Sequence, residues 1–215
     1  MNRMLEDVDV YDAINEATER GAALVKKIIK PNHLRELNRE VAKGPYKKAA
    51  EGTANVVQKF DRYAFMYNVP NMPLLTLLQR ETQDLITRNG NMFPQLRDWR
   101  AIDIVVQRYQ QDGILTAHKD LTRHPYIIAS YTIAGKCQFD VLESRTGPIR
   151  LSLWPEAGDL LFLLAPGITE NPYIDDRPFH QLSGALTDEP RVAVTFRHNL
   201  QPEVPIDGFW YQNHK

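Results

Sequence analysis

Apolar and polar residues alternate in short runs through the second half of the chain. Six segments after residue 101 are rich in β-branched, aromatic and leucine residues, and Gly, Pro or Asp separates them, as is typical of antiparallel strands. These segments are IDIVVQRYQ, YIIASYTI, CQFDVLE, IRLSLWP, DLLFLLA and RVAVTFRHN. Because no helical pattern lies between them, they predict a sandwich or jelly roll rather than a parallel α/β sheet.

The first hundred residues follow a different pattern. Apolar residues recur at helical spacing in 11–20, 34–43 and 74–87, so we expect three helices there. Segment 22–29 (AALVKKII) fits a helix or a strand, and 44–68 is polar with scattered aromatics and fits no element. The helices precede the strands and are expected to pack on one outer face. The predicted class is therefore α+β with a mainly β core.

Length and composition indicate one domain. We expect residues 1–215 to form a single unit, with N-terminal helices and a lid over about 1–100 and the β core over about 101–200. No run of 18 apolar residues predicts a transmembrane helix, and the acidic, mixed N-terminus has no secretory pattern. The single cysteine, Cys137, excludes an intrachain disulfide and Cys-rich zinc sites. We expect a cytoplasmic monomer without membrane contacts.

His118 and Asp120 are the first candidates for chemistry. Residues two apart in an extended segment point to the same side, so an imidazole and a carboxylate can converge on one metal ion. A second histidine would complete the two-histidine, one-carboxylate triad of non-haem Fe(II) oxygenases, and His180 in RPFHQLSG is the best candidate. Most His-x-Asp pairs are surface residues. His124, in a loop just before Pro125, has two interpretations: a residue that lines the site and, preferred here, one that does not.

A pair of arginines strengthens this interpretation. Arg191 and Arg197 lie six apart in RVAVTFR, so a strand would place both on one face, with Val192, Val194 and Phe196 on the other. Two guanidinium groups on one face favour an anion between them, and arginine binds carboxylates through bidentate hydrogen bonds. The alternative is a solvated strand face that pairs with surface acids.

Gln107 and Tyr109 show the same spacing of two in a strand that precedes His118. Either polar side chain can hydrogen-bond a carboxylate inside the barrel. The alternative is an amphipathic edge strand.

Together these features resemble the AlkB-type branch of the Fe(II)/2-oxoglutarate-dependent dioxygenases. The resemblance covers most of residues 20–200, and its ordered motifs are QRYQQDGILTAHKD, SYTIAGKCQF, GDLLFLL, FHQLSG and RVAVTFR. It implies a double-stranded β-helix (jelly roll) with a substrate lid within 44–69. By the same resemblance, Fe(II) would be held by His118, Asp120 and His180, and 2-oxoglutarate by Gln107, Tyr109, Arg191 and Arg197.

Three positions depart from the family pattern. Gln107 replaces Asn and keeps an amide with a longer reach, whereas Ala193 replaces an Asn and removes one contact to the co-substrate. Thr122 stands where nucleic-acid repair members carry an acidic residue that contacts the damaged base. Thr122 puts base recognition in doubt and leaves the iron chemistry intact.

The resemblance implies a reaction and leaves the substrate open. With Fe(II) and O₂, 2-oxoglutarate would be decarboxylated to succinate while a C–H bond is hydroxylated. The preferred hypothesis, which follows from the resemblance, is oxidative N-dealkylation of alkylated nucleic-acid bases. Residues 43–67 interleave Lys and Arg with aromatics, which fits a strand-binding lid or a solvated face over a few core aromatics. The second hypothesis is a hydroxylase of a small metabolite or a protein side chain. The third is a non-enzymatic β-sandwich binding module.

Overall fold

Two antiparallel sheets form the centre of the fold in a computed structural model, which describes residues 3–50, 52–53, 55–168, 175 and 177–202. The helices are α1 (Tyr11–Arg20), α2 (Pro31–Val41) and α3 (Pro73–Thr87). The strands are β1 (Ala22–Val25), β2 (Lys47–Lys48), β3 (Gly52–Thr53), β4 (Val56–Lys59), β5 (Asp61–Met66), β6 (Asp103–Tyr109), β7 (Ile114–His118), β8 (Ile127–Ala134), β9 (Phe139–Leu142), β10 (Ile149–Leu153), β11 (Leu160–Leu164), β12 (Phe179–Ser183) and β13 (Arg191–Arg197).

The chain alternates between the two sheets, which is the jelly-roll path. The larger sheet has the order β1-β11-β8-β13-β6-β5-β2, and the smaller sheet has the order β10-β9-β12-β7-β4-β3. All six predicted strand segments are confirmed, as β6, β8, β9, β10, β11 and β13. The pattern did not assign β7 and β12, which pair with each other in the smaller sheet.

The helices pack on the outer face of the larger sheet, as predicted. One apolar core joins residues of α1, α2 and α3 to the outward-facing residues of β6, β8, β11 and β13. The predicted bounds of α1 are confirmed, and Gly21 ends the helix at a positive φ of 89°. The ambiguous segment 22–29 contains strand β1, which pairs with β11. Helix α2 begins earlier than predicted because Pro31 suits the first helical turn.

Strand β13 separates its two faces as the spacing predicted. Val192, Val194 and Phe196 belong to the core beneath the helices. Arg191 and Arg197 instead line the cavity between the two sheets. A second apolar core lies between the sheets; it includes Tyr109, Ile128, Phe139, Leu161, Leu163 and Leu182.

Residues 44–69 widen both sheets. Strand β5 pairs with β6 in the larger sheet, and β4 pairs with β7 in the smaller sheet. Phe60, between these strands, packs on Tyr109 with ring centroids 4.7 Å apart. The predicted lid is thus, in its described residues, a wall of short strands at the barrel mouth. No helix in the described part of the chain has the length and apolarity to cross a bilayer.

Candidate metal centre

Two neighbouring strands bring the predicted metal ligands together. His118, at the end of β7, is the register partner of His180 on β12. Asp120 follows His118 by two residues, and its Oδ2 lies 3.5 Å from Nε2 of His180. One ligand atom from each of the three residues lies within 4.8 Å of the others. The spacing of these atoms suits a single divalent ion.

Backbone carbonyls orient both imidazole rings. Nδ1 of His118 lies 2.9 Å from the carbonyl oxygen of Thr116, and Nδ1 of His180 lies 3.3 Å from that of Pro178. A carbonyl only accepts, so each Nδ1 carries the proton and donates it. The lone pair of each ring is therefore on Nε2. This is how an outer hydrogen bond sets the tautomer of a metal-ligating histidine.

The charges of the three side chains suit a cation. Burial lowers the pKa of His118, and burial together with the neighbouring His118 lowers the pKa of His180 to about 3. Although burial opposes it, the guanidinium of Arg197 and the two imidazoles hold the pKa of Asp120 well below its usual range. Nη2 of Arg197 lies 3.3 Å from Oδ1 of Asp120. At neutral pH the site is two neutral imidazoles and one carboxylate.

Two arginines and a tyrosine leave polar atoms without partners beside this cluster. Arg191 is 1% exposed, and within the described part of the chain its Nε and Nη1 have no hydrogen-bond partner. The hydroxyl of Tyr109 and Nε of Arg197 are buried and unpartnered in the same way. All three side chains line one cavity with His118 and His180. Buried cationic atoms without hydrogen-bond partners are costly, so these atoms favour an anion in the cavity.

An amide and several hydroxyl groups add hydrogen-bonding atoms to this cavity, which we call the anion subsite. Burial raises the pKa of Tyr109, so its hydroxyl is protonated and able to donate. Gln107 lines the same cavity, and its register partner is Ala193, which leaves room beside the amide. Ser130 and Thr195 were not predicted from the sequence; their hydroxyls lie 2.9 Å apart in the cavity wall. The donor set of cations, amide and hydroxyls fits a dicarboxylate.

Comparisons with solved structures identify the fold. No protein-family model and no curated protein sequence matches the chain. A Pseudomonas putida prolyl-4-hydroxylase aligns with a TM-score of 0.64 and 13% identity over 87% of this chain and 97% of its own. A Burkholderia pseudomallei oxidoreductase of the 2OG-Fe(II) oxygenase family aligns at 0.64 and 14% over 93% and 96%. OsALKBH1 aligns at 0.61 and 15% over 83% and 98%.

The chain has the fold of the 2-oxoglutarate- and Fe(II)-dependent oxygenases. Within this fold the candidate metal ligands His118, Asp120 and His180 line the cavity between the two sheets. Next to the cluster is a cleft of about 240 Å³; its lining includes Leu121 and His124, and from the segment before them Gly52, Val56, Gln58, Phe60 and Arg62.

Hydrogen bonds and ion pairs that were not predicted hold the segment around His118 and Asp120 in position. Nη1 of Arg177 donates to the backbone carbonyl of Asp120 at 2.5 Å, and the same guanidinium pairs with Asp175. Lys119 also pairs with Asp175 at 2.9 Å. On the other side, Arg145 donates to the carbonyl of Ala117 at 2.8 Å. These contacts join distant segments, and no local spacing indicates them.

A buried polar cluster beside the cleft was also missed. Nε2 of His124 lies 2.8 Å from Oδ2 of Asp103. The side-chain amide of Asn199 donates to both oxygens of the same carboxylate. All three residues are buried. The interpretation of His124 as a loop residue describes its backbone but not its side chain, which borders the cleft.

Proposed function

We propose that this chain is an Fe(II)- and 2-oxoglutarate-dependent dioxygenase that acts as a single catalytic unit. One observation carries the proposal. The ligand atoms of His118, Asp120 and His180 lie within 4.8 Å of one another, in the same cavity as the unpartnered guanidinium atoms of buried Arg191. A cation site next to an anion site suits a metal that is chelated by an organic acid.

Each polar side chain then has a role in holding the two cofactors. Two imidazoles and one carboxylate bind one face of Fe(II) and leave the other positions for 2-oxoglutarate and O₂. Arg191 and Tyr109 bind the distal carboxylate, and Arg197 and Gln107 lie nearer the metal end. Bound Fe(II) supplies the oxidative chemistry that converts 2-oxoglutarate to succinate and hydroxylates a C–H bond. The chain itself orients the reactants and excludes water.

Succinate formation tests this proposal directly. Purified protein with Fe(II), 2-oxoglutarate and O₂ should release succinate slowly even without a primary substrate. The variant His180→Ala should release none, whereas His33→Ala, on the outer helix α2, should match the parent protein. Absence of both succinate release and 2-oxoglutarate binding in the parent protein would exclude the proposed reaction.

For the primary substrate we propose AlkB-like oxidative N-dealkylation of alkylated nucleic-acid bases. Support comes from the ordered motifs and from the structural likeness to OsALKBH1. When the hydroxylated carbon is attached to nitrogen, the product breaks down to an aldehyde and a free N–H. The expected basic and aromatic lid gives little further support. Tyr46, Tyr63 and Phe65 pack with the helix-side core, and Lys59 pairs with Asp112.

A hydroxylase of a small metabolite or a protein side chain is the second candidate. Its support is the likeness to the Pseudomonas putida prolyl-4-hydroxylase, together with Thr122, which is exposed and carries no acid for base contact. Mobility shift of short single-stranded DNA or RNA separates the candidates, because phosphate contacts make such binding strongly salt-dependent. Failure to bind at low salt favours the hydroxylase. A screen for compounds that accelerate 2-oxoglutarate turnover then identifies the class of the primary substrate.

A further inference from the structure

The buried cluster of Asp103, His124 and Asn199 contains a nitrogen atom, Nδ1 of His124, that has no hydrogen-bond partner among the described residues. Asp103 is 0% exposed and His124 is 2% exposed. Nδ1 of His124 is buried and has no hydrogen-bond partner within the described part of the chain. Buried polar atoms without partners are rare in native proteins and need an explanation.

The hydrogen bonds around Asp103 decide what this nitrogen can do. Although burial alone would raise the pKa of Asp103, hydrogen bonds from His124 and Asn199 lower it, so the group is a carboxylate and only accepts. Nε2 of His124 therefore carries a proton and donates it to Asp103. Burial lowers the pKa of His124, so the ring is neutral. Its Nδ1 is then a lone-pair acceptor.

The position of the ring links it to the metal site. His124 borders the cleft that also reaches His118, Asp120 and Arg197. Asp103, which binds the imidazole of His124, is on β6 and is the register partner of Arg197 on β13. The cluster is therefore attached to the same pair of strands that carries the cavity-lining arginines. The lining of this cleft also includes the apolar side chains of Leu121 and Phe60 and the cationic side chains of Lys119 and Arg62.

We propose that His124 is a specificity-determining residue whose Nδ1 accepts a hydrogen bond from an N–H or O–H group of the substrate in the cleft. This inference rests on the proposed function for the identity of the reaction, but not for the hydrogen bond itself. It assigns the substrate a chemical class: a molecule with an amide, amino or hydroxyl donor close to the carbon that is oxidised. Proline within a peptide has no N–H on its ring and would leave Nδ1 unpaired.

The tautomer of His124 is the first test. Ring-¹⁵N NMR of the parent protein should show an unprotonated Nδ1 and a protonated Nε2 at neutral pH. In Asp103→Asn, an asparagine amide that donates to Nε2 would move the proton to Nδ1. Protonated Nδ1 in the parent protein would overturn the proposal, whether or not the variant folds.

A matched pair of fragments is the second test. N-Methylacetamide has one N–H donor and N,N-dimethylacetamide has none, whereas both carry the same carbonyl. We expect the parent protein to bind N-methylacetamide roughly twofold to tenfold more tightly, as one net hydrogen bond predicts, with a shift of the Nδ1 resonance. Equal binding of the two fragments, or no binding of either, would overturn the proposal.

His124→Gln is the matched variant for this titration. The glutamine amide nitrogen reaches the position of Nε2 and keeps a donor for Asp103, but no acceptor remains at the position of Nδ1. The preference for N-methylacetamide should disappear in this variant. An unchanged preference would contradict the role of His124.

Metal dependence separates this inference from the proposed function. The fragment titration is run on the protein alone and with Zn(II) and 2-oxoglutarate, since Zn(II) is redox-inert. If the parent protein releases no succinate but still prefers N-methylacetamide, the proposed reaction is contradicted and the role of His124 as a hydrogen-bond acceptor is retained. If the protein releases succinate but shows no preference between the fragments, the proposed reaction is retained and the role of His124 is contradicted.

Discussion

His118 and His180 face each other across two paired strands with their ring centroids 4.2 Å apart. The phenyl ring of Phe139 stacks on the far side of His180, at 5.4 Å and 19° between planes. Two rings this close cannot both be protonated without strong repulsion, and burial keeps both neutral. A divalent ion between their Nε2 atoms would relieve the crowding of lone pairs.

Divalent metal should therefore stabilise the folded protein. At a free metal concentration of 100 times Kd, the linkage relation gives about 2.7 kcal/mol. We expect Mn(II), as an O₂-stable substitute for Fe(II), to raise Tm in a thermal melt. The rise should be absent in His180→Ala and retained in His33→Ala. An equal rise in all three proteins would place the bound ion elsewhere.

Removal of the carboxylate ligand should have a larger effect on activity than on folding. Asp120→Ala leaves two neutral imidazoles, which hold Fe(II) poorly, so turnover of 2-oxoglutarate should be abolished. The variant also leaves Arg197 without its 3.3 Å partner. Succinate release measures the effect, and Asp112→Ala, which removes an exposed acid paired with Lys59, is the control. Retained turnover in Asp120→Ala would contradict the ligand assignment.

The anion subsite predicts a loss of affinity for 2-oxoglutarate. Arg191→Lys keeps the positive charge but loses the planar fork that binds a carboxylate through two hydrogen bonds. The half-saturation concentration should rise by the equivalent of about 1–3 kcal/mol. Titration of 2-oxoglutarate against succinate release measures it, with exposed Arg150→Lys as the matched control. An unchanged half-saturation point would mean that the carboxylate binds elsewhere.

Truncation of a side chain on the helix-facing side of β13 should lower stability without removing a metal-binding or 2-oxoglutarate-binding residue. Phe196 is fully buried beneath the helices and makes an edge contact with Tyr131, with centroids 6.0 Å apart. Phe196→Ala should lower the free energy of unfolding by about 3–5 kcal/mol, because it leaves a cavity. Exposed Val57→Ala should change it by about 0.5 kcal/mol or less. Denaturant unfolding compares the two, and equal midpoints would contradict the assigned faces of β13.

The sequence alone determined the features that depend on local periodicity. The six-residue spacing of Arg191 and Arg197 in a strand sets both on one face whatever the strand pairs with, because side chains alternate with period two. Helix α1 was likewise predicted at its observed bounds, since its apolar stripe is regular and Gly21 provides a C-terminal stop. The residue types of the metal cluster and its two-residue spacing were also readable in the chain.

Tertiary structure decided which distant segments meet. Strands β7 and β12 are five residues each with mixed polarity, so periodicity indicated neither, and only their pairing brings His180 to His118. In segment 44–69, β5 and β4 belong to the two sheets because they pair with β6 and β7, which lie much further along the chain.

The cluster around His124 is the clearest case of information that the sequence pattern lacks. Asp103 lies 21 residues before His124 and 96 before Asn199, and neither spacing has a helical or strand period that would indicate contact. The three meet because the start of β6, the turn after the metal-ligand segment and the end of β13 lie at the same edge of the barrel. A buried carboxylate requires hydrogen-bond donors, and only the folded chain determines which residues supply them.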